Sequence, residues 1–279
     1  MTEDMPDIRL IAIDLDKTLL DESLRVPERN REALAAAAAR GVTVAIATGR
    51  THSSAARFAR QLGIDAPVIS YNGAMVRRAD DPEPMRHVRL DADLAAEIVE
   101  LLVHQMTDFM YFLDEALYVQ RYDRWAHGYR ARTGDHPCVA GDLRRFAGAM
   151  PTKLLLLGTP EQTRARHAFF TERYDGRIYA TISLPEYMEI LSPQATKATA
   201  LRWLADHLGV PIECTMALGD SLNDLEMIRA AGVGVFMPFA DAELRAEADF
   251  VPSDPVTGVA EAVEGLVLGR GATCESGGE

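Results

Sequence analysis

Three short apolar runs alternate with two helix-like patterns within the first 75 residues, and this alternation constrains the fold more than any other feature. Residues 8–13 form the first run and contain no breaker. "PERNREALAAAAARG" reads as a helix, with Pro27 near its first turn and Gly41 as its stop. "VTVAIATGR" is a second run, "RTHSSAARFARQLG" a helix closed by Gly63, and "APVISYNGA" a third run before an Asn-Gly turn. Strand, helix, strand, helix, strand is the pattern of parallel βαβ units. Apolar strands this continuous fit a sheet covered on both faces. The expected fold class is α/β, with a doubly wound parallel sheet.

From residue 82 the texture changes. "MRHVRL" reads as a strand and "DADLAAEIVELLVHQM" as a helix with an Asp cap. "DFMYFLDEALYVQ" reads as two strands back to back, and "TKLLLLGTP" and "RIYATISLPEYMEILSP" as further strands around the helix "EQTRARHAFFTERY". This is an α+β insert. The α/β pattern then resumes. "ATKATALRWLADHLGV" is a helix, "CTMALGD" a strand ending in an acid, and "SLNDLEMIRAAG" a helix. "VGVFM" and "ADFVP" are short strands around "DAELRAEA", and "GVAEAVEGLVLG" is a last helix. The division expected is a discontinuous core of residues 1–81 and 194–270, an inserted α+β domain of residues 82–193, and a disordered tail, 271–279.

Composition narrows the partners. A formal net charge of −13 repels nucleic acid and anionic membranes, so neither is expected as a partner. No apolar stretch is long enough to span a bilayer, and "MTEDMPDIRL" has no apolar signal core. Cys138, Cys214 and Cys274 form no CxxC pair and read as ordinary thiols in a reducing compartment, so a cytoplasmic protein is expected, as monomer or homodimer. Lysine occurs only three times (Lys17, Lys153, Lys197) among 29 lysines and arginines, and asparagine only three times (Asn30, Asn72, Asn223). In a chain that uses arginine by default, each retained Lys or Asn points to a need for its shape.

Ligands of doubly wound sheets bind outside the carboxyl ends of the strands. Here the first strand ends in Asp14 and Asp16, the second in Thr48, Gly49 and Arg50, and the strand "CTMALGD" in Asp220. If these strands are neighbours, the acids share one rim, and such a group of carboxylates needs a cation among them. Carboxylates and carbonyls without clustered His or Cys favour a hard ion, with Mg²⁺ the first choice. If the first strand persists through Asp16, both of its acids point to one side. One can then ligate the metal and attack phosphorus while the other moves a proton to the leaving oxygen and later from water. Thr48 can hydrogen-bond a phosphoryl oxygen, and Lys197 can neutralise charge there. Arg50 and Asn72 belong to the same expected rim. Helix N-capping is the plainer reading of Thr48 and Asp220, and a structural role that of Glu189.

"DLDKTLL", "ATGR", Lys197 and "GDSLND" resemble, in order and spacing, the four motifs of the haloacid dehalogenase-like (HAD) phosphatases. The α+β insert between the second and third motifs, and the stretches "SPQATKATAL" and "ALGDSLNDLEMIRAAG", resemble the Cof-like, subclass IIB branch. The resemblance covers nearly the whole chain. It implies a Rossmann-like core with an inserted cap, and Mg²⁺-dependent hydrolysis of small phosphorylated metabolites through an aspartyl-phosphate. By position it implies Asp14 as nucleophile and metal ligand. Asp16 would be acid/base and a ligand through its backbone carbonyl, Thr48 a phosphoryl contact, Lys197 the positioning lysine and Asp220 a metal ligand. Asn223 and Asp224 would complete the phosphate and metal surroundings.

Two departures stand out. Lys17 occupies a turn position where the family usually has glycine. Pro238-Phe239-Ala240 stands where relatives usually carry Gly-Asn-Ala. A phosphosugar mutase, a non-catalytic metabolite sensor and a DxD nucleotide-sugar transferase are the alternatives. A sensor has no need of the nucleophile, and a transferase leaves "GDSLND" and Lys197 unexplained.

Overall fold

A four-residue apolar strand with no exposed face must lie inside a sheet covered on both sides, and Leu10–Ile13 (β1) is fully buried at every residue. The structure, a computed structural model, describes residues 6–269. The tail expected to be disordered, with Cys274, lies outside the described residues. After β1 come Glu28–Ala39 (α1), Thr43–Ile46 (β2), His52–Leu62 (α2), Val68–Ser70 (β3), Met75–Arg77 (β4) and Arg86–His87 (β5). Ala92–His104 (α3), Phe109–Leu113 (β6), Ala116–Val119 (β7), Arg124–Thr133 (α4), Cys138–Val139 (β8), Lys153–Leu157 (β9) and Pro160–Arg173 (α5) follow. Tyr179–Leu184 (β10), Tyr187–Leu191 (β11), Lys197–Leu208 (α6), Thr215–Gly219 (β12), Leu225–Ala230 (α7), Val233–Phe236 (β13), Ala242–Arg245 (α8) and Gly258–Val263 (α9) complete the chain.

Two compact units emerge. The first holds the residues up to Ile46, Arg202–Asp220, and those from Asp224 onward. Its sheet runs β13-β12-β1-β2 with every pair parallel. The chain leaves β1 toward β2 on one side and reaches β12 on the other, so β1 and β12 flank the point where strand order reverses. Asn30 shows why a rare asparagine is kept: fully buried on α1, it donates to Val256 O (3.0 Å) and accepts from Ala260 N (3.0 Å), tying α1 to the start of α9.

The second unit holds Ala47–Leu201 and Ser221–Asn223. It contains the antiparallel β3-β4-β5 sheet and a six-stranded sheet in the order β10-β11-β9-β6-β7-β8, antiparallel except for β7 with β8. One apolar cluster packs α3 and Phe170 of α5 against Tyr111, Leu154, Leu156, Met188 and Ile190 of this sheet. A second gathers Tyr71, Met110, Phe112, Leu117, Tyr129, Leu155 and Leu191. Tyr111 and Phe112 are therefore core, Tyr118 and Trp125 pack against it partly buried, and Tyr122 is exposed. Caps form where hydroxyls and acids stand: Thr51 for α2, Asp91 for α3, and a Thr159–Gln162 capping box for α5.

Three expectations change. β1 stops at Ile13, so strand alternation does not carry to Asp16; Lys17 adopts φ +61° and the chain folds back, with Leu20 N donating to Leu15 O. "ADFVP" forms a single bridge, Val235 with Phe250, rather than a strand. Residues 124–133 form helix α4, capped by Asp123 and closed by Gly134 at φ +80°, where no helix is expected from the sequence.

Candidate active site

In the first unit the acids stand at the ends of adjacent strands. Asp14 extends the register of β1 by one residue, its N–H donating to Leu218 O (3.0 Å). Asp220 directly follows β12. Its N–H donates to Asp224 Oδ2 (3.0 Å), so Asp224, at the start of α7, accepts a bond from the β12 strand end rather than capping its own helix. Thr18 Oγ1 donates to Asp220 Oδ1 (3.4 Å). The result is a trio, Asp14, Asp220 and Asp224, whose carboxylate oxygens lie within 4.8 Å of one another. These residues are 5%, 8% and 0% exposed.

Three buried carboxylates this close repel strongly unless a cation neutralises them. The donors are all oxygens, with no imidazole or thiolate in the group, which is the donor set of a hard divalent ion. Gly219 allows the close approach: a Cβ there would sit 2.3 Å from Asp224 Cγ. Asp16, half-buried, is not part of the trio; β1 ends at Ile13, before the chain reaches it.

In the second unit the stretch Thr48–Arg50 is held by the β3 segment and the turn after it. Thr48 N donates to Ile69 O (2.9 Å), Asn72 N to Thr48 O (3.0 Å) and Tyr71 N to Arg50 O (2.9 Å). Thr48 does not cap α2, since Thr51 does; its Oγ1 accepts from Arg50 N (3.2 Å). The Arg50 guanidinium lies over the Phe58 ring (5.3 Å) and donates to Ser54 Oγ (3.4 Å), so it is turned toward α2. Asn72 sits at φ +52°, a conformation asparagine tolerates better than most residues. Its Oδ1 accepts from Asn223 Nδ2 (2.9 Å). Asn72 Nδ2 and Asn223 Oδ1 are buried without a partner, one donor and one acceptor.

Lys197 opens α6 and is fully buried. Thr196 caps this helix, its Oγ1 accepting from Thr199 N (3.1 Å). Gly73, at φ +97°, lies so close that a Cβ on it would fall 2.0 Å from Thr196 O. All three asparagines and two of the three lysines of the chain are buried. The sequence assigns Lys153 no role. It stands 2.6 Å from Glu189 and 2.8 Å from Gly49 O, and lysine scarcity is the signal that points to it.

Comparison with known proteins adds an independent line. The family model of haloacid dehalogenase-like hydrolases matches residues 11–263. The phosphatase YwpJ of Bacillus subtilis is 30% identical over 283 residues, covering 88% of this chain and 94% of its own. The 5-amino-6-(5-phospho-D-ribitylamino)uracil phosphatase YcsE of the same organism is 30% identical over 264 residues, covering 94% and 97%. Among solved structures, a haloacid dehalogenase-like hydrolase from B. subtilis superposes with a TM-score of 0.83 at 27% identity, covering 93% of this chain and all of the other.

Proposed function

Since the chain belongs to the haloacid dehalogenase-like hydrolases and is a phosphatase of that family, we propose that it hydrolyses small phosphorylated metabolites, sugar phosphates or similar, in the cytoplasm. The buried trio Asp14, Asp220 and Asp224 carries this reading. Similarity to a phosphatase named for a phosphorylated ribitylaminouracil supports a small polyol or heterocyclic phosphate as substrate. The specificity-setting cap is residues 82–193 in this reading.

The all-oxygen donor set of Asp14, Asp220 and Asp224 fits Mg²⁺, which these carboxylates would hold together with the Asp16 carbonyl that the family resemblance implies. Bound there, the ion offsets the repulsion between an anionic carboxylate and an anionic phosphate. An Asp14 carboxylate oxygen attacks phosphorus, and the bond to the leaving oxygen breaks. Asp16, protonated, gives its proton to that oxygen. Asp16 then takes a proton from water, whose oxygen attacks the aspartyl-phosphate; inorganic phosphate leaves and Asp14 is restored. Thr48 donates its hydroxyl hydrogen to a phosphoryl oxygen, and the Lys197 ammonium balances phosphoryl charge. Gly49, Arg50, Asn72 and Asn223 complete the phosphate surroundings, Asn72 offering its unpartnered Nδ2 as a donor and Asn223 orienting that amide through its own Nδ2.

Phosphate release from a panel of phosphorylated metabolites, with and without Mg²⁺, tests this on wild type and Asp14→Asn. Removing a covalent nucleophile is expected to lower kcat by at least about 10³-fold. Release that persists in Asp14→Asn, or no release from any compound by folded wild type, overturns the reading. Transfer to a sugar-phosphate acceptor without net phosphate marks a mutase instead.

A further inference from the structure

β9 reads Lys-Leu-Leu-Leu-Leu and is buried throughout, so its first position invites another aliphatic side chain. It carries instead one of only three lysines in the chain. Lys153 is 2% exposed, as is Glu189 on the neighbouring strand β11, and their charged atoms are 2.6 Å apart. A buried ion pair of this kind rarely gains stability over well-packed apolar residues of similar volume. Stability alone therefore does not account for it.

The second contact of the ammonium does. Lys153 Nζ donates to Gly49 O at 2.8 Å, and the Phe112 ring centre lies 4.9 Å from it. Three successive carbonyls are thereby engaged. Thr48 O and Arg50 O take backbone N–H groups of Asn72 and Tyr71, whereas the middle one, Gly49 O, takes the ammonium. Gly49 O and Arg50 N belong to one planar peptide and point in opposite directions. Arg50 N donates to Thr48 Oγ1 (3.2 Å). With that lone pair occupied, the Thr48 hydroxyl hydrogen is left to point elsewhere. Space around the loop is tight on the same side: a Cβ at Gly49 would meet the Asn72 amide at 3.1–3.2 Å and Glu189 Oε1 at 3.3 Å.

We propose that Lys153, held by Glu189, is a positioning residue that fixes the Gly49–Arg50 peptide and through it the Thr48 hydroxyl for its phosphoryl contact. The consequence for catalysis rests on the phosphatase reading above. Glu189 anchors the ammonium, the ammonium sets the peptide plane, and the peptide N–H sets the hydroxyl.

The decisive variant is the double change Lys153→Met with Glu189→Leu, which removes both charges together and leaves neither stranded. It is expected to unfold at or near the wild-type denaturant midpoint. Its kcat is expected to fall about 10- to 100-fold, the scale of a misplacement near 1 Å, with KM changed less. Exchange of the Arg50 amide hydrogen is expected to quicken at least tenfold. Wild-type kcat and unchanged Arg50 exchange in a folded double variant overturn the proposal. Should the double variant not fold, Glu189→Gln decides: a neutral amide holds the ammonium less firmly, so Arg50 exchange and kcat both shift at least threefold, and no shift in either overturns it. If wild type releases no phosphate, the phosphatase reading fails, while Arg50 exchange still tests the clamp.

Discussion

Gly219→Ala puts a methyl where the acid trio is closest-packed. The backbone there has no positive φ, so alanine meets no conformational objection, and the whole effect comes from contact. The added Cβ would lie 2.3 Å from Asp224 Cγ and 2.6 Å from Asp224 Oδ2. Carbon atoms pack comfortably at about 3.5 Å, so the Asp224 side chain must retreat by about 1 Å. Asp224 is fully buried, and its Oδ2 is bonded to Asp220 N, so the retreat also breaks that bond. Overpacking of this kind costs about 1–3 kcal/mol of stability. Metal–ligand distances tolerate only about 0.2 Å, so Asp224 is lost as a ligand. Disturbing a residue that merely orients a ligand weakens metal affinity about 10- to 100-fold. Displacing the ligand itself is expected to raise the Mg²⁺ concentration for half-maximal phosphate release at least about 100-fold, or about 2.7 kcal/mol. The assays are urea unfolding and a Mg²⁺ titration of activity. Asp224→Ala would keep a Cβ 2.4 Å from the added methyl, whereas Asp224→Gly removes the obstacle, so a double-mutant cycle should show Gly219→Ala costing little stability in the Asp224→Gly background. An undiminished cost there, or an unchanged Mg²⁺ requirement in Gly219→Ala, would refute the reasoning.

Gly73→Ala combines φ +97° with a Cβ 2.0 Å from Thr196 O, so a loss of at least about 3 kcal/mol in urea unfolding is expected, with reduced kcat from displacement of the adjoining Lys197; a loss below about 1 kcal/mol counts against it. Lys17→Gly relieves a left-handed lysine (φ +61°) and is expected to stabilise by about 0.5–1 kcal/mol, whereas Lys17→Ala brings no gain. Burial, aided by Arg77, pushes the pKa of His52 down to about 4, and its ring nitrogens have no partner. With an unfolded pKa near 6.5, the neutral ring's contribution is complete above that pH and is lost as pH falls from 6.5 toward 4, about 2 kcal/mol of it by pH 5. His52→Leu should therefore show a shallower fall in stability between pH 7 and 5, and a fall parallel to wild type would exclude this account. Burial lowers His87 to about 4 as well, and it adds a second loss over the same range.

Strand ends are the legible part of the site. β1 and β12 are short, apolar and closed by acids, so the residue pattern puts Asp14 and Asp220 at one rim if the strands are neighbours, and the two strands do pair directly. Asp16 is harder: placing it by alternation fails because β1 already ends at Ile13 and the chain folds back on itself from Asp14 and Leu15 onward. Helix α4 escapes notice because its residues, RWAHGYRART, bury only Ala126, Tyr129 and Thr133, whose spacing is helical but whose small and polar members do not mark an apolar stripe. Arg50 illustrates the opposite limit, since sequence places it at the rim but cannot say that its guanidinium turns to Phe58 and Ser54. The Lys153–Glu189 pair joins residues 36 positions apart, and only folding brings them together.

The pairing of β1 with β12 also bears on how the protein is made. Leu10 lies beside Thr215, so one edge of a fully buried strand waits for the sheet partner synthesised last but one. At about 5–20 residues per second on a ribosome, that wait is roughly 10–40 s. By then every strand of the six-stranded sheet, residues 109–191, has left the ribosome and can pair without β12. Until then the nascent chain carries an open apolar edge at its beginning, and chaperone demand is expected to fall once residue 219 emerges.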